Sequence, residues 1–360
     1  MRLVDLLHRW LGGTIGLLLA VLGVSGAILA HKDAWVGVPG ARDAQVQETA
    51  ALAAAAERLM ADPQGRPRSI IFATRTFGLD RLSYEGEAGA YATQAGEIVT
   101  RWDSNWARPE IWLFDLHHHL FNGETGEIVA GVAALCGLGF VITGVILWWP
   151  LRRSWTFRLW PSRMSRFPIL RHHRDLGVVM APLLALSLVT GAIMVFRPVT
   201  DLILGPGAAK EVEASLKAPP PRNAELSETL DWGGMIETAR RLHPDAEVRI
   251  LALPRGDSGL ISLRLRQPAE WLPNGRTTLW FAADTGELVH ARDALELPAR
   301  AQAYNALYPL HAAKVGGLPY RLAVTASGVA LGLFGTLTVW TFWFARRPRR
   351  RREAKPAPAE

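Results

Sequence analysis

Four long apolar runs constrain this chain more than any other feature. Leu11–Ala30, Val129–Trp149, Val178–Phe196 and Leu322–Phe344 are almost free of charge. An α-helix rises 1.5 Å per residue, so about 20 apolar residues cross a hydrocarbon core roughly 30 Å thick. Lipid offers the backbone no hydrogen-bond partners, which restricts spanning segments to helices or closed barrels. The runs are too long for barrel strands and lack their period-two alternation. Four transmembrane helices follow. The first run is longer than a signal-peptide core, and His8 and Arg9 stand where a leader needs charge alone. It reads as an uncleaved helix, with cleavage near Ala30 as the alternative.

Charge sets the expected orientation. The net charge of +7 is concentrated in two places. Arg152, Arg153, Arg158, Arg163, Arg166 and Arg171 lie between the second and third runs, and Arg346 opens an Arg-rich tail. The long loops carry the opposite balance: 9 Lys+Arg against 11 Asp+Glu over residues 31–110, and 12 against 15 over residues 198–310. Short basic loops stay in the cytoplasm. Both termini are therefore expected inside and both long loops outside. The basic tail is a topology anchor in contact with anionic membrane lipid, with no nucleic acid as partner. Cys136, the single cysteine, falls in the second run, so the chain can form no internal disulfide. Its expected role is apolar packing.

The two halves match. His8-Arg9-Trp10-Leu11-Gly12 opens the first helix and Ser25-Gly26-Ala27-Ile28 closes it; His173-Arg174-Asp175-Leu176-Gly177 and Thr190-Gly191-Ala192-Ile193 do the same for the third. The interval from histidine to the later glycine is the same in both, which points to an internal repeat of helix, outer domain, helix. Each outer loop reads as one helix on a small antiparallel sheet. Glu48–Met60 is followed by β-like Ser69–Ala73 and Arg81–Tyr84, and Ser227–Leu242 by Val248–Ala252, Leu260–Leu265 and Thr277–Ala282. The loops end in Gly96-Glu97-Ile98-Val99 and Gly286-Glu287-Leu288-Val289. Pro219-Pro220-Pro221 is a stiff spacer into the second domain.

The expected fold is thus membrane α-helical, four transmembrane helices in two helix–domain–helix repeats with two periplasmic α+β domains. Residues 1–31 form transmembrane helix 1 and 32–107 the first outer domain; 108–150 hold an interfacial segment and helix 2; 151–171 are a basic loop. Residues 172–197 form helix 3, 198–303 a linker and the second outer domain, 304–345 an interfacial segment and helix 4, and 346–360 the tail.

A helix–strand module ending in Gly-Glu-(Ile/Leu)-Val resembles a PepSY domain. Four helices with His-Arg-x-Leu-Gly starts resemble the PepSY-associated transmembrane family, from about His8 to Arg347. The resemblance implies a bacterial inner-membrane protein linked to iron acquisition, some relatives being haem-bearing ferrisiderophore reductases.

Ten histidines occur, and eight gather near helix ends: His8, His31, His117, His118, His119, His172, His173 and His311. Ionisable groups in a membrane helix are costly, so each is a functional candidate. Neutral imidazole ligates haem iron without charge compensation, and two axial imidazoles favour electron transfer. The family pattern, carried over, implies four ligands: His8 with His173 for an inner haem b, and His117 with His311 for an outer one. His118 is the fallback should the register be off by one. Arg9, Arg174 and Arg321 are the expected propionate partners. From His117 to Trp149, and from His311 to Trp343, a straight helix would run about 48 Å, which places both outer histidines in or above the headgroup layer.

Other readings stand beside these. His172 reads as a headgroup contact and His31 as a snorkelling interfacial residue. A divalent metal bound by His117, His118, His119 and His311 is an alternative to the outer haem. The tryptophans read as interface-belt residues, and Trp102 and Trp106 are further candidates for a substrate surface. No Walker loop, Gly-x-Ser-x-Gly or His-Glu-x-x-His occurs, and no Gly-x-Gly-x-x-Gly follows a strand. The electron donor is then a separate cytoplasmic flavoprotein reductase or membrane quinol, and the acceptor a periplasmic ferric chelate. The rival functions are a PepSY module that restrains a periplasmic protease, and an iron-uptake accessory.

Overall fold

The structure is a computed structural model in which residues 1–344 are described. The basic tail expected over residues 346–360 lies outside them. Helix α1 (Arg2–Leu29) leads through the short α2 (Lys32–Trp35) to α3 (Thr49–Met60). Strands β1 (Ser69–Ile71), β2 (Asp80–Ser83), β3 (Gly89–Ala92) and β4 (Ile98–Trp102) follow. Helix α4 (Pro109–His119) then turns into the long α5 (Gly123–Trp148). The second half runs α6 (Arg166–Val195), α7 (Arg197–Leu204), α8 (Ala208–Leu216) and α9 (Trp232–Leu242). It continues with β5 (Glu247–Ala252), β6 (Leu260–Arg266), β7 (Thr277–Ala282), β8 (Leu288–Arg292), α10 (Ala299–His311) and α11 (Gly317–Trp343).

Among the described residues four helices, α1, α5, α6 and α11, are long and apolar enough to cross a membrane. Their outer faces carry large apolar side chains in the open: Leu17 and Val24 on α1, Val132 and Ile142 on α5, Val179 on α6, Val329 on α11. A contiguous apolar surface of that kind is unusual on a soluble monomer and natural in lipid. The chain is a multi-pass membrane protein.

Lipid tails are as apolar as leucine, so spanning helices associate through close packing rather than burial from water. The contact of α1 with α11 shows this. Gly16, Ala20, Gly23 and Ala27 face Gly328 and Gly335, and a Cβ added to Gly335 would collide with the Gly16 carbonyl oxygen. The α5–α6 contact is bulkier: Leu188 packs against Gly137, and Val195 and Phe196 against Gly131.

The strands form one antiparallel sheet of order β4-β3-β2-β1-β5-β6-β7-β8. This corrects the expectation of two separate outer sheets. Strand β1 pairs with β2 on one side and with β5 on the other, Ile70 lying opposite Leu82 and Leu251. An unpaired central edge would expose a row of backbone donors and acceptors, and the β1–β5 ladder removes two such edges at once. Helices α3 and α9 cover one face together, so Leu52, Leu59, Ile70, Leu82, Met235, Ile236, Leu251, Leu263 and Phe281 belong to a single core. A second cluster, Val36, Leu79, Tyr91, Trp102 and Ile111, joins the sheet to α4. Trp102 is buried there, which withdraws it from both the interface belt and any substrate surface. Trp106 is exposed and stacks on Phe121. Helix α9 begins at Trp232, later than expected, because the Asp231 side chain caps it by accepting from the Gly234 N–H.

The sheet end of the bundle carries α2, α4, α7, α8 and α10; the loop end carries Met1 and the segment between α5 and α6. Lys314 reaches Asp33 at 3.4 Å, and the Tyr91 hydroxyl donates to buried Glu110 at 3.1 Å. The first ties α2 to the connection between α10 and α11, and the second ties β3 of the sheet to α4.

Candidate functional site

Both connections into the second helix of each half bend sharply. Helix α4 stops at His119 because Leu120 and Phe121 adopt left-handed backbone (φ 48° and 60°), an uncommon conformation for residues with a Cβ. Helix α10 stops at His311, followed by Ala313 (φ 52°) and by Gly316 and Gly317 (φ 69° and 63°), where glycine meets no steric penalty. The two short helices are thereby set down against the bundle instead of extending α5 and α11 outward.

That geometry brings His117 and His311 together, with ring centres 6.2 Å apart and planes inclined at 43°. Each lies on a hydroxyl–glycine step. His117 Nδ1 is 2.9 Å from Ser25 Oγ, and a Cβ on Gly26 would stand 2.9 Å from His117 Cε1. His311 Nδ1 is 3.1 Å from Thr190 Oγ1, and a Cβ on Gly191 would stand 3.1 Å from His311 Cε1. Ser25 and Gly26 lie one turn inside the end of α1. The bends fold both histidines back beside the ends of α1 and α6, so neither stands at the far end of one straight helix.

At the other end, His8 of α1 and His173 of α6 approach to 6.0 Å between ring centres, with planes at 77°. Phe140 of α5 lies edge-on to His8 at 5.5 Å, and Phe334 of α11 edge-on to His173 at 5.0 Å. Phe140 and Phe334 stand the same distance after His117 and His311. From His8 to Ser25, and from His173 to Thr190, the helices rise about 25 Å. The two pairs therefore sit near opposite ends of the bundle.

The hydrogen bonds fix which ring nitrogen is free. Thr143 Oγ1 donates to the Gly139 carbonyl at 2.7 Å, so toward His8 Nδ1, 2.8 Å away, it can only accept. Ser25 Oγ donates to Leu22 O, and Thr190 Oγ1 to Leu186 O. His311 Nδ1 also lies 3.0 Å from the Ser187 carbonyl, which accepts and never donates. In His8, His117 and His311 the proton is thus on Nδ1 and the lone pair on Nε2. Holding one ring nitrogen by a hydrogen bond is how proteins aim the other at a metal. His173 Nδ1 is buried with no partner; the position matching Thr143 on α11 is Leu337.

The remaining histidines fall elsewhere. His118 and His119 face each other, not His311. The four-histidine metal cluster therefore does not assemble as one group. His31 Nε2 is 2.8 Å from Thr325 Oγ1 of α11. His172 is buried, 6.2 Å from Phe334, which corrects its reading as a headgroup contact: its side of α6 faces the bundle. Arg9 is half exposed and pairs with Asp5 at 3.4 Å. Arg174 pairs with Asp175 at 2.6 Å and also reaches the Ser154 carbonyl, while Arg158 pairs with the other Asp175 oxygen. Arg9 and Arg174 are thus engaged by carboxylates of the chain. Arg321 Nε is buried without a partner.

A family profile described as the PepSY-associated TM region matches residues 6–346. The chain belongs to that family. No curated protein matches it.

The PepSY-associated TM protein can be tested for fit to haem from its own geometry. An axial bond of about 2.0 Å and roughly 1.1 Å from nitrogen to ring centre put two imidazoles on one metal about 6 Å apart. The separations of 6.0 and 6.2 Å match, and rotation about the metal–nitrogen axis accepts either interplanar angle. Gly12 and Gly177 lie one helical turn after His8 and His173, on the same face. A Cβ on either would meet nothing within 4 Å. That open strip beside each ring suits a flat macrocycle, and the residues present fit the group.

The sequence reading did not identify Ser25, Thr190 and Thr143 as holders of the rings, nor Phe140 and Phe334 as their neighbours. The signal was present: Ser25-Gly26 matches Thr190-Gly191, and Phe140 matches Phe334 in its distance from a histidine.

Proposed function

We propose that this protein is a di-haem b electron-transfer protein of the bacterial inner membrane, built from two helix–domain–helix repeats, that reduces periplasmic ferric chelates. One observation carries the reading: two pairs of partly buried histidines, each with one member from either half of the chain, near opposite ends of a membrane bundle. His8 and His173 would hold one haem, His117 and His311 the other. Haem with two axial imidazoles supplies a one-electron carrier with no open iron position.

The chain's own residues do the rest. The Thr143, Ser25 and Thr190 hydroxyls hold Nδ1–H and leave the Nε2 lone pairs of His8, His117 and His311 free. Phe140 and Phe334 wall the loop-end pair and exclude water. The arginines of the α5–α6 segment support a cytoplasmic loop end and hence cytoplasmic termini. A flavoprotein reductase or membrane quinol would then deliver electrons there. The sheet would be periplasmic, and the acceptor would meet the tips of α4 and α10 beneath it.

The test is an absorption spectrum of detergent-purified protein from haem-replete cells. Sharp reduced α and β bands with about two haems per chain are expected, falling to about one in His173→Ala and in His311→Ala. A folded, colourless protein would refute the redox reading and favour the restraint of a periplasmic protease by the sheet unit.

A further inference from the structure

A second cluster of ligating groups lies beside the sheet-end pair and is used by none of the chemistry above. His118 Nδ1 and His119 Nε2 are 3.0 Å apart. With one atom of Glu127, on the second turn of α5, they form a set in which all ligand atoms lie within 4.8 Å of one another. Consecutive helical residues normally diverge by about 100°. Here the two rings converge because α4 ends at His119, and Phe114 stacks on His118 at 5.3 Å with the planes only 14° apart.

The protons follow from the partners. Asp115 Oδ1 is 2.9 Å from His119 Nδ1, so that nitrogen carries the hydrogen and Nε2 holds the lone pair. A carboxylate behind a ligating imidazole is the usual way a metal ligand is oriented and made more basic. His118 Nδ1 then donates to His119 Nε2 when no ion is bound. Moving that proton to His118 Nε2 frees a second lone pair with no net proton release. Two nitrogens 3.0 Å apart are close to the spacing of neighbouring ligands at 2.0–2.1 Å from one ion.

We infer that His118, His119 and Glu127 form a binding site for a divalent first-row transition-metal ion, with Asp115 as the positioning residue of His119. Two imidazoles and one carboxylate suit Fe(II) or Zn(II) and do not suit Mg(II) or Ca(II). His118 is exposed, which leaves the remaining coordination positions to solvent or to a passing ligand. The inference does not rest on the redox reading, since it uses neither His117 nor His311.

The test uses full-length protein without a polyhistidine tag, in detergent, titrated with Co(II) as a coloured probe and with Mg(II) as the control. One saturable Co(II) site with visible bands is expected, with no response to Mg(II). His119→Ala should abolish it and Glu127→Gln should weaken it. Asp115→Asn should weaken it about 10- to 100-fold at unchanged stoichiometry, and Asp115→Glu should recover part of the loss. His290→Ala, at an exposed histidine of β8, should bind Co(II) as the parent does. Failure of the parent protein to bind Co(II), or binding indifferent to His119→Ala and Glu127→Gln, overturns the site. Loss of haem absorbance in the folded His119→Ala protein also overturns it, by assigning the cluster to the sheet-end pair.

Discussion

Asp80 offers the sharpest test of the fused sheet. It starts β2 beside the β1–β5 junction and is 1% exposed. Its Oδ1 accepts from the Ala73 N–H at 2.7 Å, while Oδ2 is buried without a partner. Burial is the largest influence and pushes the carboxyl up to about 7, against the smaller opposing pull of the Ala73 N–H and of Arg249. Below the unfolded value of 3.8 the group is protonated in both states and contributes no pH dependence. Between that value and about 7 the unfolded chain ionises while the folded one holds its proton, so stability falls as pH rises. Above about 7 the loss is complete. Each unit is worth about 1.4 kcal/mol, so the decline from pH 5 to pH 8 is about 3 kcal/mol. For a folding unit of this size that is about 6–12 °C in midpoint. Asp80→Asn keeps the acceptor for Ala73 and removes the titration. Thermal unfolding of detergent-solubilised protein, followed by the fluorescence of buried Trp102, Trp232 and Trp280, measures both proteins at each pH. The difference between them isolates Asp80 from all other groups. Parallel pH profiles for the parent and Asp80→Asn would show that the buried carboxyl does not govern the sheet, and the reasoning would fail.

Thr143→Val leaves His8 Nδ1 without its acceptor and is expected to cost about 1–3 kcal/mol, seen as loss of about one haem on gel filtration, with Thr143→Ser restoring it. Gly335→Leu forces a side chain toward the Gly16 carbonyl and should lower the unfolding midpoint, overpacking costing typically 1–3 kcal/mol. Gly12→Ala has open space and should leave folding intact or improve it by up to about 1 kcal/mol; haem content measured on the same sample should fall if the strip beside His8 is the macrocycle's place. Because His173 Nδ1 has no hydrogen-bond partner, stepwise competition with free imidazole should empty the His8–His173 pair before the other, read by comparing His8→Ala with His117→Ala protein.

The spanning helices were legible in the sequence because lipid leaves the backbone a single solution, and the length of an apolar run reports it directly. His8 and His173 were legible because they recur at one offset from a small polar residue and a glycine, whereas His117 and His311 came from the family resemblance. What lay beyond reach depended on contacts between distant segments. The β1–β5 ladder joins residues near 70 to residues near 251, and nothing local in Ser69-Ile70-Ile71 distinguishes an edge from a centre. Strand β3, Gly89-Ala90-Tyr91-Ala92, has too little β-branched character to announce itself, and all four of its residues are nevertheless buried between neighbours. The bend after His119 was not legible at Leu120 and Phe121 themselves. The left-handed bend there puts two apolar residues into a conformation that sequence preference would assign to glycine or asparagine.

The division of each pair between the halves has a physical consequence. His8 and Ser25 lie on α1 and His173 and Thr190 on α6, while His117 and His311 arrive on α4 and α10 from beyond the sheet. No single half holds both members of either pair. A half folded alone would place one partly buried imidazole at each site with its lone pair facing no partner ring, which a membrane interior penalises. The small-residue contact of α1 with α11 and the β1–β5 ladder are two junctions between the halves, one at each level of the molecule. The rings stand about 6 Å apart with both junctions formed. The β1–β5 ladder joins the two segments from which α4 and α10 descend, so the halves that supply His117 and His311 meet in the sheet as well as in the bundle.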